Sequence, residues 1–198
     1  MSTKEEKMKK VRDEVLKLKK SPLYKYRSEN DYKPVIGQGS HDAKILFIGE
    51  APGKKEAETG IPFCGASGKF LDELLAHINI PREEVYIANI LKDRPPENRD
   101  PSREEIELYT PFLERQIEII EPKVIATLGR FAMDYIMRRH GLENEITKIS
   151  DMHGKVYNAV GPSGEVKIVP LYHPAVAIYN SNNKAELKKD FEVLKSLI

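Results

Sequence analysis

The sequence predicts an α/β protein, a three-layer α/β/α sandwich with a central four-stranded parallel sheet. Three observations carry this expectation. Four short apolar runs, at 44–50 (KILFIGE), 85–90 (VYIANI), 123–129 (KVIATLG) and 166–174 (VKIVPLYHP), are apolar on both faces, as strands at the centre of a parallel sheet are. Helical periodicity fills the intervals between them, and such alternation of strand and helix defines the layered α/β class. Finally, 198 residues with 40% apolar content can bury one good core, so a single domain over 1–198 is expected.

In chain order, residues 1–30 read as a basic N-terminal helix and connecting segment. The first 20 residues hold eight lysines or arginines against four acids, and 4–20 are expected to form an outlying helix. The first strand ends on Glu50 and runs into a turn-rich stretch, GEAPGKKEAETGIPFCGASGKFLDELL. Within its last part, Phe70, Leu71, Leu74, Leu75 and Ile78 share a helical face. The second strand carries Asn89 near its end. Ile106, Tyr109, Leu113 and Ile117 share the next helical face, behind a capping box from Ser102 to Glu105. After the third strand, Phe131, Tyr135 and Ile136 mark a shorter helix that Gly141 ends. The last strand is expected to carry His173 at its end, and Leu187, Phe191 and Leu194 mark a C-terminal helix.

Composition excludes several classes. No stretch approaches the ~18 uninterrupted apolar residues of a membrane span, and the first residues lack the apolar core of a signal peptide. A monomer inside the cell, cytoplasmic or nucleoid-associated and with no membrane partner, is the expectation. The lone cysteine, Cys64, rules out an internal disulfide framework or a site built from several thiolates, and no metal is expected. A net charge of +1 does not announce a nucleic-acid binder, although Lys92, Arg94, Arg99 and Arg103 cluster locally.

Ligands of open α/β sheets bind beyond the carboxyl ends of the strands. Glu50, Asn89 and His173 should therefore converge on one rim. Each has an ordinary explanation alone, as a surface acid, a strand-end amide and a turn histidine; together, beside a glycine-rich turn, they indicate a site. That turn is not a nucleotide phosphate loop. The Gly68–Lys69 pair would need a glycine where Phe63 stands and a Ser or Thr where Phe70 stands. No G-x-G-x-x-G follows the first strand either. What remains is a turn whose Pro52 and Gly53 expose backbone amides, and a second turn that presents Phe63. Amides beside an aromatic platform suit a flat hydrogen-bonding ligand such as a nucleobase.

With these residues in view, GEAPGKKEAETGIPFCGASGKFLDELL, VYIANILKDRPPENRDP with the SREEI that follows, PKVIATLG and YHPA resemble, in order and spacing, the motifs of family 4 uracil-DNA glycosylases, over about 35–195. The resemblance implies the fold expected above and hydrolysis of the N-glycosidic bond of uracil in DNA, the opening step of base excision repair. It implies that Gly49, Glu50, Ala51, Pro52 and Gly53 line the uracil pocket, with Glu50 holding the catalytic water. Glu56 matches a second catalytic carboxylate, Phe63 the aromatic that stacks on uracil, Asn89 the amide that reads its edge, and His173 the histidine that stabilises negative charge at uracil O2. Asn98 matches a position near the site.

The departures from the family also carry implications. Its members hold a four-iron, four-sulfur cluster through four cysteines, and the matching positions here are Leu18, Ser21, Asp93 and Tyr109. The cluster is therefore expected to be absent, with the N-terminal segment tied down by packing of Leu18, Leu23, Tyr24 and Tyr109. After His173 and Pro174, the run AVAIYN at 175–180 stands where the family has a leucine pair and an arginine, its usual wedge and phosphate contact. Pro174, Ala175, Val176, Ala177 and Ile178 are expected near the DNA, with Lys92, Arg94 and Arg99 as phosphate contacts. A same-fold enzyme for hypoxanthine or xanthine, or a nonenzymatic DNA-binding relative, are the competing readings, and protein partners are unknown.

Overall fold

A computed structural model describes residues 2–179 and 182–198. The chain begins with α1 (Lys4–Leu16) and α2 (Pro22–Glu29), followed by the short strand β1 (Gln38–Gly39) and β2 (Ile45–Gly49). Helices α3 (Lys54–Thr59) and α4 (Ala66–His77) lead to β3 (Tyr86–Asn89), α5 (Arg103–Ile120), β4 (Val124–Leu128) and α6 (Arg130–Arg139). The last part comprises α7 (Ile149–Met152), the hairpin of β5 (Tyr157–Gly161) and β6 (Gly164–Leu171), then α8 (Val176–Tyr179) and α9 (Asn182–Ser196).

The sheet order is β1-β3-β2-β4-β6-β5. Its four central strands are the four read from the sequence, and they are mutually parallel. β1 and β5 add antiparallel edges, making six strands. Alternation along each central strand supplies two cores. In β2, Leu46 and Ile48 face the cluster built with α1, α5 and α6, while Ile45 and Phe47 face the one built with α4 and α9. Phe47 stacks on Phe191 of α9 with ring centroids 5.6 Å apart. Burial on both faces is why these strands are mostly apolar, and it confirms the three-layer reading.

Two expectations need correction. The last strand stops at Leu171, so His173 stands in the loop beyond it. The N-terminal helix is not outlying: Met8, Val11 and Val15 are buried in the α5 layer, because the basic residues occupy the opposite face of an amphipathic helix. A second helix, α2, follows where a connecting segment was expected. Ser21 caps it by accepting from the Leu23 N–H, and Pro22 opens its first turn, where a missing N–H costs nothing.

Candidate active site

The carboxyl ends of β2 and β3 lie side by side, with Gly49 paired to Asn89. A Cβ at Gly49 would stand 2.3 Å from Asn89 Oδ1 and 3.0 Å from the Phe63 ring, so only glycine lets the amide and the aromatic approach this closely. Asn89 is 1% exposed. Its Nδ2 and Oδ1, together with Thr127 Oγ1, are the buried side-chain polar atoms without a partner among the described residues. Leaving such an atom unpaired costs ~1–3 kcal/mol, so an amide with both ends free is unfavourable unless a ligand completes it.

Phe63 stands beside this amide with a positive φ of 49°, a conformation rare for a bulky residue. Glu56 accounts for it. One carboxylate oxygen accepts from the Gly53 N–H at 2.6 Å at the start of α3, which occupies the amide expected to face a ligand, and the other accepts from the Phe63 N–H. A single side chain thus ties the first turn to the second. Burial raises the Glu56 pKa, and the two amide bonds oppose that shift.

His173 closes the opposite side, its ring 5.6 Å from that of Phe63. The Ala175 N–H donates to His173 Nδ1 at 3.1 Å. A backbone amide can only donate, so Nδ1 is the acceptor and the ring proton sits on Nε2. Burial pushes the His173 pKa down to about 4, leaving a neutral ring with one N–H to give at neutral pH. Glu50, just past β2, is half-buried; burial and the charge of Asp100 raise its pKa, and Arg130 opposes them.

Between these elements lies a pocket of about 440 Å³, lined by Ala51, Gly53, Glu56, Phe63, His173, Ala175 and Ile178 from the expected set, whereas Glu50 and Asn89 are not on its wall. Small-molecule sites commonly fall within ~300–1,000 Å³. Lys54, Lys55, Gly65, Ala66 and Ser67 complete much of its wall, and sequence reading passed over them. Their signal was the same glycine-rich run, weighed only against nucleotide loops. Asp100 and Arg130, an ion pair of 2.8 Å in the field of Glu50, carried no recognisable pattern.

The expected phosphate contacts stand differently from the sequence reading. Lys92 is fully buried, which corrects its placement on a basic surface: Nζ donates to the Asn89 carbonyl at 2.8 Å and to Gln116 Oε1 at 2.5 Å. Arg94 donates to the hydroxyls of Tyr26 and Tyr32 and to Asn98 Oδ1. Arg99 is exposed but held by Glu105. After His173, Pro174 and Ala177 are buried, Ala175 and Val176 partly so, and Ile178 is 48% exposed at the pocket mouth.

The positions assigned by resemblance to cluster cysteines form a different unit. Ser21 Oγ and Tyr109 Oη lie 2.8 Å apart, Tyr109 Oη donates to Asp93 Oδ2, and Arg27 donates to both Asp93 oxygens at 3.0 Å, beneath buried Leu18. Arg27 also reaches the carbonyls of Val15 and Leu16. This donor set has no thiolate, and its carboxylate already has two partners; it does not fit an iron-sulfur cluster. Cys64 stands apart, 3.4 Å from the Thr59 hydroxyl.

A parallel sheet whose strand ends bring an aromatic, a neutral histidine and a carboxylate around one pocket, with a free amide buried beside that aromatic, is the framework of an enzyme that takes a base out of DNA. A family model described as the uracil DNA glycosylase superfamily matches residues 36–195, and the chain belongs to that superfamily. Among its relatives, the type-4 uracil-DNA glycosylase of Archaeoglobus fulgidus is 44% identical over 93% of this chain and 89% of its own length. That of Sulfurisphaera tokodaii is 41% identical over 96% of this chain and 84% of its own, and that of Thermotoga maritima 39% identical over 100% and 98%. Among the described residues no helix is long and apolar enough to cross a membrane.

Proposed function

We propose that this chain hydrolyses the N-glycosidic bond of uracil in DNA as a monofunctional glycosylase, leaving an abasic site. It is a uracil-DNA glycosylase, and DNA is its substrate. The observation that carries the site reading is the buried Asn89 amide with both ends free. Nδ2 can donate to uracil O4 while Oδ1 accepts from N3–H; cytosine offers the opposite polarity at one position and a bare acceptor at the other. Sites that leave a buried polar group unpaired by the wrong substrate discriminate by up to ~10⁴–10⁵.

In the reaction the C1′–N1 bond breaks with its electron pair passing to the base. The neutral His173 supports the anion growing at uracil O2 through its Nε2–H. Glu50, ionised, faces the positive charge that develops on the sugar and orients the water whose oxygen joins C1′; a proton of that water ends on the base or in solvent. Glu56, with both oxygens on backbone amides, acts as a positioning residue for Phe63 rather than by touching the sugar.

The same reading makes the protein an iron-free monomer of one domain acting inside the cell on chromosomal DNA. Lys54, Lys55 and Ser67 on the pocket wall, with Arg99, supply the phosphate contacts, and Ile178 the apolar side chain that fills the gap left by the extruded base. The test is cleavage of a uracil-containing oligonucleotide, with abasic sites revealed by alkali, beside hypoxanthine, xanthine and thymine strands. Abasic product from the uracil strand, absent with Asn89→Ala, is expected. Product from hypoxanthine or xanthine alone would replace the reading.

A further inference from the structure

The sequence gives no reason to bury a lysine at position 92, yet its side chain is fully enclosed and ends against the residue that reads the base. The topology explains why something must stand there. Ile90 donates its N–H to Gly49 O, so the main chain of Ile90 faces β2 and that of Asn89 faces the opposite side. On that side β1 pairs with Tyr86 and Ile87 and ends, leaving the Asn89 carbonyl without a strand neighbour. Lys92 Nζ occupies the vacant place at 2.8 Å.

The amine is itself held. Gln116 Oε1 accepts from it, and the Gln116 amide donates to the Ile36 carbonyl at 2.9 Å and to Tyr86 Oη at 3.3 Å, with Met8 Sδ at 3.6 Å. Helix α5, the approach to β1, strand β3 and helix α1 therefore all bear on one point. Burial lowers the Lys92 pKa to about 7. The amine has N–H groups enough for two acceptors in either protonation state, and it finds two here.

Resting on the reading of Asn89 given above, we propose that Lys92, bridged to Gln116, is a positioning residue for base recognition: it fixes the Asn89 peptide and so sets the plane in which the side-chain amide meets uracil. Among the described residues the Asn89 side chain has no hydrogen bond of its own to hold it. Its orientation depends on its backbone and on contact with Gly49 and Phe63. Small displacements of a reading group are costly; misplacement of ~1 Å can lose ~100-fold in rate.

The experiment compares Lys92→Met, Gln116→Leu and Asn89→Ala with the parent protein in four measurements: thermal midpoint, affinity for undamaged duplex, single-turnover cleavage at saturating enzyme, and inhibition by free uracil against free cytosine. For Lys92→Met, duplex affinity should stay within twofold, uracil inhibition should weaken about tenfold, the uracil-to-cytosine preference should fall by a similar factor, and cleavage should slow ~10- to 100-fold. Gln116→Leu should move the same readouts in the same direction, and it decides the matter if Lys92→Met does not fold. A change confined to the thermal midpoint, with uracil inhibition and base preference within twofold, would make Lys92 merely a filler of the sheet edge and overturn the proposal. Should Asn89→Ala itself leave uracil inhibition unaltered, the site reading fails, and the role of Lys92 fails with it. Normal behaviour of Lys92→Met beside a defective Asn89→Ala removes the proposal alone.

Discussion

At the scale of single residues, the site depends on close approach and on protonation. Gly49→Ala would drive a methyl group against Asn89 Oδ1 and the Phe63 ring. The strand itself is tolerant of alanine, so the expected result is a folded protein with a normal circular dichroism spectrum and uracil cleavage reduced at least ~100-fold, read in single turnover. The pH profile follows from the direction of two shifts. Glu50 has a raised pKa, so falling pH protonates it and removes the negative charge facing the sugar; cleavage should decline about tenfold per unit below that pKa. His173 titrates near 4 and stays neutral above it, so no break should occur near 6.5. Glu50→Gln should lower the plateau and abolish the acid limb. A limb near 6.5 that vanishes in His173→Ala would show that the histidine acts as a cation. That Glu50, Asn89 and His173 lie at or just beyond strand ends was legible in the sequence because strands of a parallel sheet point one way, although His173 stands two residues past its strand. The real place of Lys92 was not, since an isolated lysine gives no hint that acceptors 3 and 24 residues distant will enclose it.

Among elements, α2 shows where energetics and legibility part. The central strands could be read because burial on both faces leaves them mostly apolar, with Asn89, Thr127, Glu165 and Lys167 as the polar exceptions. Helix α2 could not be read by periodicity: it buries only Leu23 and Arg27, and the burial of Arg27 makes sense only with Asp93, 66 residues on. Its capping residues, Ser21 and Pro22, were the available signal. Strand β5 alternates between half-buried and exposed positions, with Val160 81% exposed, and its pairing comes from the hairpin with β6 rather than from its own hydrophobicity. The Arg27–Asp93 pair joins α2 to the loop after β3, with side chains 7% and 0% exposed. Removing one member of such a pair strands the other charge, so Asp93→Ala should destabilise by ~3–5 kcal/mol in urea unfolding. The double variant Arg27→Met, Asp93→Leu should recover most of that loss. Equal loss in both would show that the charges themselves, rather than the space they fill, hold α2 in place.

Across the whole molecule, the two helical layers are anchored by different means. On one side α4 and α9 meet the sheet through aliphatic and aromatic packing; on the other, α1 and α5 do so as well, and a polar knot of Ser21, Arg27, Asp93 and Tyr109 adds the N-terminal segment. Since that knot contains no thiolate, the protein purified from iron-replete cells is expected to be colourless, with iron and sulfide well below stoichiometric amounts. Its unfolding midpoint and cleavage rate should be the same before and after dialysis against a chelator. A brown protein that loses activity on chelation would contradict the reading.

Phe63 has one more consequence. The left-handed backbone at this position is unfavourable for an aromatic residue by itself, and it is maintained by the carboxylate of Glu56 seven residues earlier. The main chain that carries the ring is accordingly set before any DNA arrives, and the ring itself is already buried against its neighbours. In the proposed role of Phe63, a base that leaves the stack exchanges one aromatic neighbour for another already in position. The conformational expense of making the wall is met during folding, once per protein molecule, instead of at every lesion. An enzyme that must sample many normal base pairs for each uracil gains from that arrangement in time: the brief interval for which an extruded base stays outside is long enough only for a receptor that need not assemble itself.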